Sequence, residues 1–276
     1  MDTQAFSALS LSIAEEFRKE LIEIGFPETV PEKYLLGERR FLGIWNVPMI
    51  AEIAKLTKLP MVVELGVIYL YIRAYVIAQD QVIDHRRVEL APYITLLYGA
   101  LLNRIEEFSH STTEAMEIVR ATCLANIDDL SRRRERTNTT NDDLWSIGRK
   151  TEIAIIPSIL TARAVGVDSL EKSLPDITYR YLVAMQIVDD LADLEEDEAA
   201  GQYTVAGSLF RLHGLAELGK YTLSQLCAIL QTIDEISPEA ELSLRYFSRV
   251  HQNMAAAFAE GNLKAFDPEV IQTSDL

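Results

Sequence analysis

The chain has 276 residues, 49% hydrophobic and 25% charged, a globular profile long enough to bury a sizeable core. Its 42 acidic and 26 basic residues give a formal net charge of −16, and no basic face of the kind nucleic-acid binding needs to displace phosphate counterions is evident. Twelve glycines and nine prolines are too few to punctuate an all-β chain with many turns.

Apolar residues recur at helical spacing almost throughout, with no alternating strand pattern. The first predicted helix, over 3–24, soon reaches Glu15-Glu16 and has neither the basic nor the apolar region of a signal peptide. Asn46 followed by Pro48 opens the second, over 47–57. The third, over 60–86, holds most of the longest apolar run, Leu59 to Ala78, which Glu64 and Arg73 interrupt. Those charges argue against a membrane span and for a buried helix with polar groups inside the protein. Helices over 90–109 and 112–135 follow, the latter behind the capping pattern Ser111-x-x-Glu114. The basic run Arg132-Arg133-Arg134, flanked by Asp128, Asp129 and Glu135, reads as a solvated helix end. Residues 136–141 form the clearest loop, and Thr140-x-x-Asp143 opens a helix over 141–165 that Gly166 closes. The remaining helices run over 174–199, 203–212, 215–234 and 238–260. Ser237-Pro238-Glu239 opens the last of these and Gly261 ends it. No Pro/Gly/Ser linker or fixed-period repeat interrupts the series, so residues 1–276 are expected to form one all-α domain, a single large helical bundle.

Cys123 and Cys227 lie in apolar helical patterns without CxxC or Cys/His metal spacing, and read as buried free thiols in a reducing cytoplasm. His85, His110, His213 and His251 also lack metal-site spacing, and no GxSxG, P-loop or dinucleotide fingerprint is present.

Two acidic clusters carry the chemistry. Asp80-Gln81-Val82-Ile83-Asp84 places two carboxylates at i and i+4, on one helix face about 6 Å apart at Cβ. Residues 70–83 are otherwise almost wholly apolar. The second cluster, Asp189, Asp193 and Asp197, forms an i, i+4, i+8 stripe behind the apolar stretch 182–188. Like charges so stacked repel, and a shared hard cation such as Mg²⁺ relieves them, since it takes carboxylate, water and phosphate oxygens. The alternative for either cluster is a solvated acidic helix face, the reading given to Asp128-Asp129. Two clusters facing each other would hold divalent ions that neutralise a diphosphate leaving group.

These stretches resemble the class I isoprenoid synthase superfamily, which includes the trans-isoprenyl diphosphate synthases and terpene synthases. Asp80-Gln81-Val82-Ile83-Asp84 resembles the family's first DDxxD motif with Gln in place of the second Asp. Gln186 to Asp193 resembles its second motif, intact. Glu196-Asp197 before Gly201 is similar to the squalene/phytoene synthase branch. Lys150-Thr151 resembles a Lys-Thr pair that contacts the diphosphate, and Gly37-Glu38-Arg39-Arg40 a GKR motif that binds isopentenyl diphosphate. The likeness covers roughly residues 35–205. It implies a helical bundle around a central apolar cavity, with three Mg²⁺ ions held by Asp80, Asp84, Asp189, Asp193 and Asp197. Lys150, Thr151, Arg39, Arg40 and Gln186 would contact the diphosphate, and Tyr75 and Val76 would line the cavity that receives the allylic cation. Each has a plainer reading: Lys150 as a surface lysine, Thr151 as packing, Gln186 as partner to a buried carbonyl, Tyr75 as ordinary core.

The chain departs from the pattern at Glu38, where the family has lysine, at Arg86-Arg87, too close to Asp84, and at Gln202, again in place of lysine. By the resemblance, these losses fall mostly on the condensing co-substrate's site, and the ionising metal site is largely kept. The resemblance therefore implies ionisation of one prenyl diphosphate followed by cyclisation, with condensation onto isopentenyl diphosphate as the alternative and a non-catalytic regulatory relative as a third reading. It also implies that two copies form a homodimer.

Overall fold

The computed structural model describes residues 3–26, 46–83, 86–132, 143–199, 201 and 203–266, and every regular element among them is helical. The all-α expectation holds there. The chain divides into two compact units. One takes the described residues of Met1–Glu117 and Ile153–Leu174, the other those of Ile118–Glu152 and Pro175–Ile271.

The first unit is organised around one helix. It contains α1 (Thr3–Glu23), α2 (Asn46–Ile53), α3 (Leu59–Ile83), α4 (Ala91–Ser109), the first turn of α5 (Thr113–Arg132) and α7 (Ile156–Val165). Helix α3 is apolar on every side, the pattern of a helix surrounded by others. It packs against α1, α2, α4 and α7. By length and composition it would also suit a membrane, but most of its side chains, Leu65 and Val67 to Ile72 among them, are buried within the fold. Gly66 sets the approach of α1: a Cβ there would lie 2.5 Å from Ile13 Cδ1. Helix α4 offers Leu97, Leu101 and Ile105 to the core, four residues apart on one face.

The second unit holds the rest of α5, α6 (Asp143–Ser146), most of α8 (Asp168–Ala192), α9 (Leu194–Ala199), α10 (Val205–His213), α11 (Leu215–Ile236) and α12 (Glu241–Glu260). Helices α11 and α12 form a hairpin in which Gly219 lies against Phe258. Helix α8 joins them through the Tyr181–Tyr246 hydroxyl pair at 3.1 Å and through Arg180 Nη1, which donates to Gln225 Oε1 at 2.8 Å.

Several boundaries differ from expectation. Pro238 does not start α12. Ser237 ends α11 and Ala240 N–H donates to Ser237 O at 2.9 Å, so Ser237 to Ala240 is the hairpin turn and α12 begins at Glu241. The helix expected over 141–165 is three pieces, α6, a 3₁₀ segment Ile147–Ile155, and α7. Gly166 and Gly261 terminate their helices at φ +69° and +67°, as their sequence positions imply. Neither cysteine is buried: Cys123 is half-buried and Cys227 exposed. Helix α11 buries Leu218, Thr222, Leu226, Ile229 and Ile233, and Cys227 lies one residue, about 100°, off that face.

Candidate functional site

The site residues that the structure describes most fully lie in the second unit, where α8 meets the 3₁₀ segment. A nine-residue 3₁₀ run is long, since its eclipsed side chains and poorer hydrogen bonds usually limit it to three or four. Local contacts hold this one. A Cβ on Gly148 would lie 2.7 Å from Val183 Cγ2, so only glycine lets the segment press this close to α8. Asn126 Nδ2 donates to Lys150 O at 3.2 Å, and Thr151 Oγ1 to Gly148 O at 3.3 Å. With three residues per turn, Lys150 stacks directly over the buried Ile147.

Lys150 is thereby drawn inward. Its side chain is only 13% exposed, and Nζ lies 3.8 Å from Oδ1 of Asp190, itself buried. The surface-lysine reading is set aside. Gln186, one turn before Asp190 on α8, donates from Nε2 to Asp190 Oδ1 at 2.9 Å and, more weakly, to Asp189 Oδ2 at 3.4 Å. It bridges the two adjacent carboxylates and serves no buried carbonyl through these bonds.

Beside this network is a cavity of about 280 Å³ lined by Thr151, Leu182, Met185, Gln186, Val188, Asp189, Ala192 and Phe266. Three expected site residues, Thr151, Gln186 and Asp189, therefore share one mostly apolar recess. Asp189 opens to solvent on one side, yet its carboxyl is pushed up to about 6. Loss of water against the apolar wall is the main cause, followed by the charges of Asp190 and Asp193; Lys150 opposes them.

The acidic stripe continues through a bend. Helix α8 ends at Ala192 and α9 starts at Leu194, but Asp193 N–H donates to Asp189 O at 3.1 Å and Asp197 N–H to Asp193 O at 2.9 Å. The four-residue step survives, and the three acids span about 12 Å of helix. Among the described residues no three carboxylate, imidazole or thiol groups converge on one point that could hold a metal ion. An ion here would take one or two carboxylates and fill its shell with water or phosphate oxygens. Beyond the stripe, Lys264 Nζ pairs with Glu196 Oε1 at 3.1 Å on the surface.

In the first unit, Tyr75 is buried with its ring 5.9 Å from Tyr98, and its hydroxyl accepts from Gln79 Nε2 at 2.9 Å; Val76 is half-buried. Arg39, Arg40, Asp84 and the side chain of Asp80 lie outside the described residues. The sequence reading missed Asp190 as a partner of Lys150, and Leu182, Met185, Ala192 and Phe266 as cavity wall. The Gln186-to-Asp190 spacing of four was a legible signal for their own bond but not for Lys150, and Phe266 arrives through the turn after α12. Comparison with protein-family models finds no match, and comparison with curated proteins finds none either.

Proposed function

We propose that the chain is a Mg²⁺-dependent class I isoprenoid synthase that ionises an allylic prenyl diphosphate, with cyclisation favoured over condensation onto isopentenyl diphosphate. The fold type would be the isoprenoid-synthase bundle with its central apolar cavity. The observation that carries this reading is Asp189, a carboxylate of raised proton affinity at the rim of a largely apolar recess, followed by Asp193 and Asp197 at helical steps.

The donor chemistry fits a hard cation. Asp189, Asp193 and Asp197 supply carboxylate oxygens whose mutual repulsion a divalent ion relieves, and they would hold Mg²⁺. The ions would supply Lewis-acid stabilisation of the departing diphosphate. The chain's own groups do the rest. Thr151 lines the recess, Gln186 holds Asp189 and Asp190 in register, and Lys150 places a positive charge beside Asp190. Leu182, Met185, Val188 and Phe266 exclude water that would quench an allylic cation.

Incubation with geranyl, farnesyl and geranylgeranyl diphosphates, with and without isopentenyl diphosphate, tests the proposal. Hydrocarbon or alcohol products without the co-substrate identify a cyclase, and longer diphosphates a condensing enzyme. No Mg²⁺-dependent product from any combination contradicts the enzymatic reading and leaves the regulatory relative.

A further inference from the structure

A second reactive constellation lies on the α11–α12 hairpin. Cys227 Sγ on α11 is 3.4 Å from His251 Nε2 on α12. Free cysteine is among the most buried residue types, yet this one is exposed. Its imidazole neighbour is fixed because the two helices pack along their length, with Gly219 allowing close approach to Phe258. The positions one turn away, Leu223 and Gln231 on α11 and Phe247 and Ala255 on α12, carry no charge. On these helices the His251 imidazole is therefore the base that lies beside the thiol.

We infer that Cys227 and His251 form a thiol–imidazole dyad, a modification site for small disulfides of neutral or positive charge. The nucleophile in such exchange is the thiolate, so a base held against the thiol raises its reactivity. As Sγ attacks one sulfur of the disulfide, Nε2 of His251 takes the thiol proton. The Sγ–S bond forms, the reagent's S–S bond breaks, and His251 returns the proton to the departing thiolate. One mixed disulfide and one free thiol result, with no other oxidant. The reagent preference follows from the net charge of −16, which repels an anionic disulfide and attracts a cationic one.

Site-resolved mass spectrometry of the reaction with cystamine tests this, with Cys123 as internal reference. Cys227 in the native protein should react about tenfold faster than in the urea-unfolded chain, although unfolding exposes it fully. His251→Gln should slow Cys227 by about fivefold to tenfold and leave Cys123 unchanged, and free imidazole should restore part of the rate. Glutathione disulfide, an anion, should react more slowly than cystamine at low salt, with the gap closing as salt rises. A native rate at Cys227 no faster than in the unfolded chain would overturn the dyad, and that comparison needs no variant to fold. Equal rates for wild type and a folded His251→Gln would likewise show that exposure alone sets the reactivity.

Discussion

The two units treat carboxylate charge in opposite ways. In the first, Glu20 of α1 is buried but fully served. Tyr71 Oη donates to it at 3.0 Å, Arg104 Nε donates at 3.0 Å, and a second Arg104 nitrogen pairs with its other oxygen. Phe17 closes the cluster edge-on to Tyr71 at 4.9 Å, and the cost of burial pushes the Tyr71 hydroxyl well above its ordinary value. In the second, Lys150 and Gln186 meet the buried Asp190, while Asp189 faces further carboxylates and rises to about 6. A carboxylate that serves the fold is given cations and donors. One left among like charges raises the energy of the fold it belongs to, and a cation ligand would lower it.

This contrast can be broken by mutation, and the largest effect belongs to the stripe. Asp189→Asn should lower Mg²⁺-dependent turnover of the prenyl diphosphate by about a thousandfold, measured as product per folded protein, because an amide cannot replace an anionic metal ligand. The reverse holds at the other cluster. Arg104→Ala leaves Glu20 buried without its cation and should destabilise the protein by about 3 kcal/mol in urea unfolding. Tyr71→Phe, removing one donor to the carboxylate, should cost about 1.5 kcal/mol. Both should leave turnover per folded molecule near wild type, and a large loss of turnover in either would erase the division between structural and functional charge.

The pH dependence sharpens the contrast. Between the usual carboxylate value near 4 and about 6, Asp189 holds more proton in the native than in the unfolded state. Its contribution to stability is therefore greatest at low pH and declines as pH rises through that window. Asp189→Asn should match wild type below pH 4 and gain up to about 1 kcal/mol above pH 6, a small gain because solvent screens the group. Saturating Mg²⁺ should remove that gain. The smallest effect is expected at the surface: Lys264→Ala, which breaks the exposed pair with Glu196, should change stability by less than about 0.5 kcal/mol.

Much of this was legible in the chain. The long apolar run of α3 identified a buried helix, Gly166 and Gly261 marked real ends, and the four-residue spacing of Asp189, Asp193 and Asp197 survived the bend between α8 and α9. What failed depended on partners distant in sequence. Residues 147–155 have helical periodicity, but the contact of Gly148 with Val183 and Tyr179 accompanies a tighter winding there, which turns Lys150 inward to Asp190. Cys227 sits among apolar residues, yet its exposure depends on which face of α11 meets its neighbours, a difference of one residue. Pro238 has the composition of a helix start, and the hairpin used it as a turn.

The central claim concerns metal-dependent recognition of a diphosphate by the Asp189 stripe, and binding tests it more directly than turnover. Titration calorimetry with a non-ionisable thiolo analogue of farnesyl diphosphate should give micromolar affinity with Mg²⁺ and none detectable with chelator. With Mg²⁺ present, Asp189→Asn should weaken that affinity by at least about tenfold. Binding that ignores both Mg²⁺ and Asp189, or no binding to the folded wild-type protein, would contradict it.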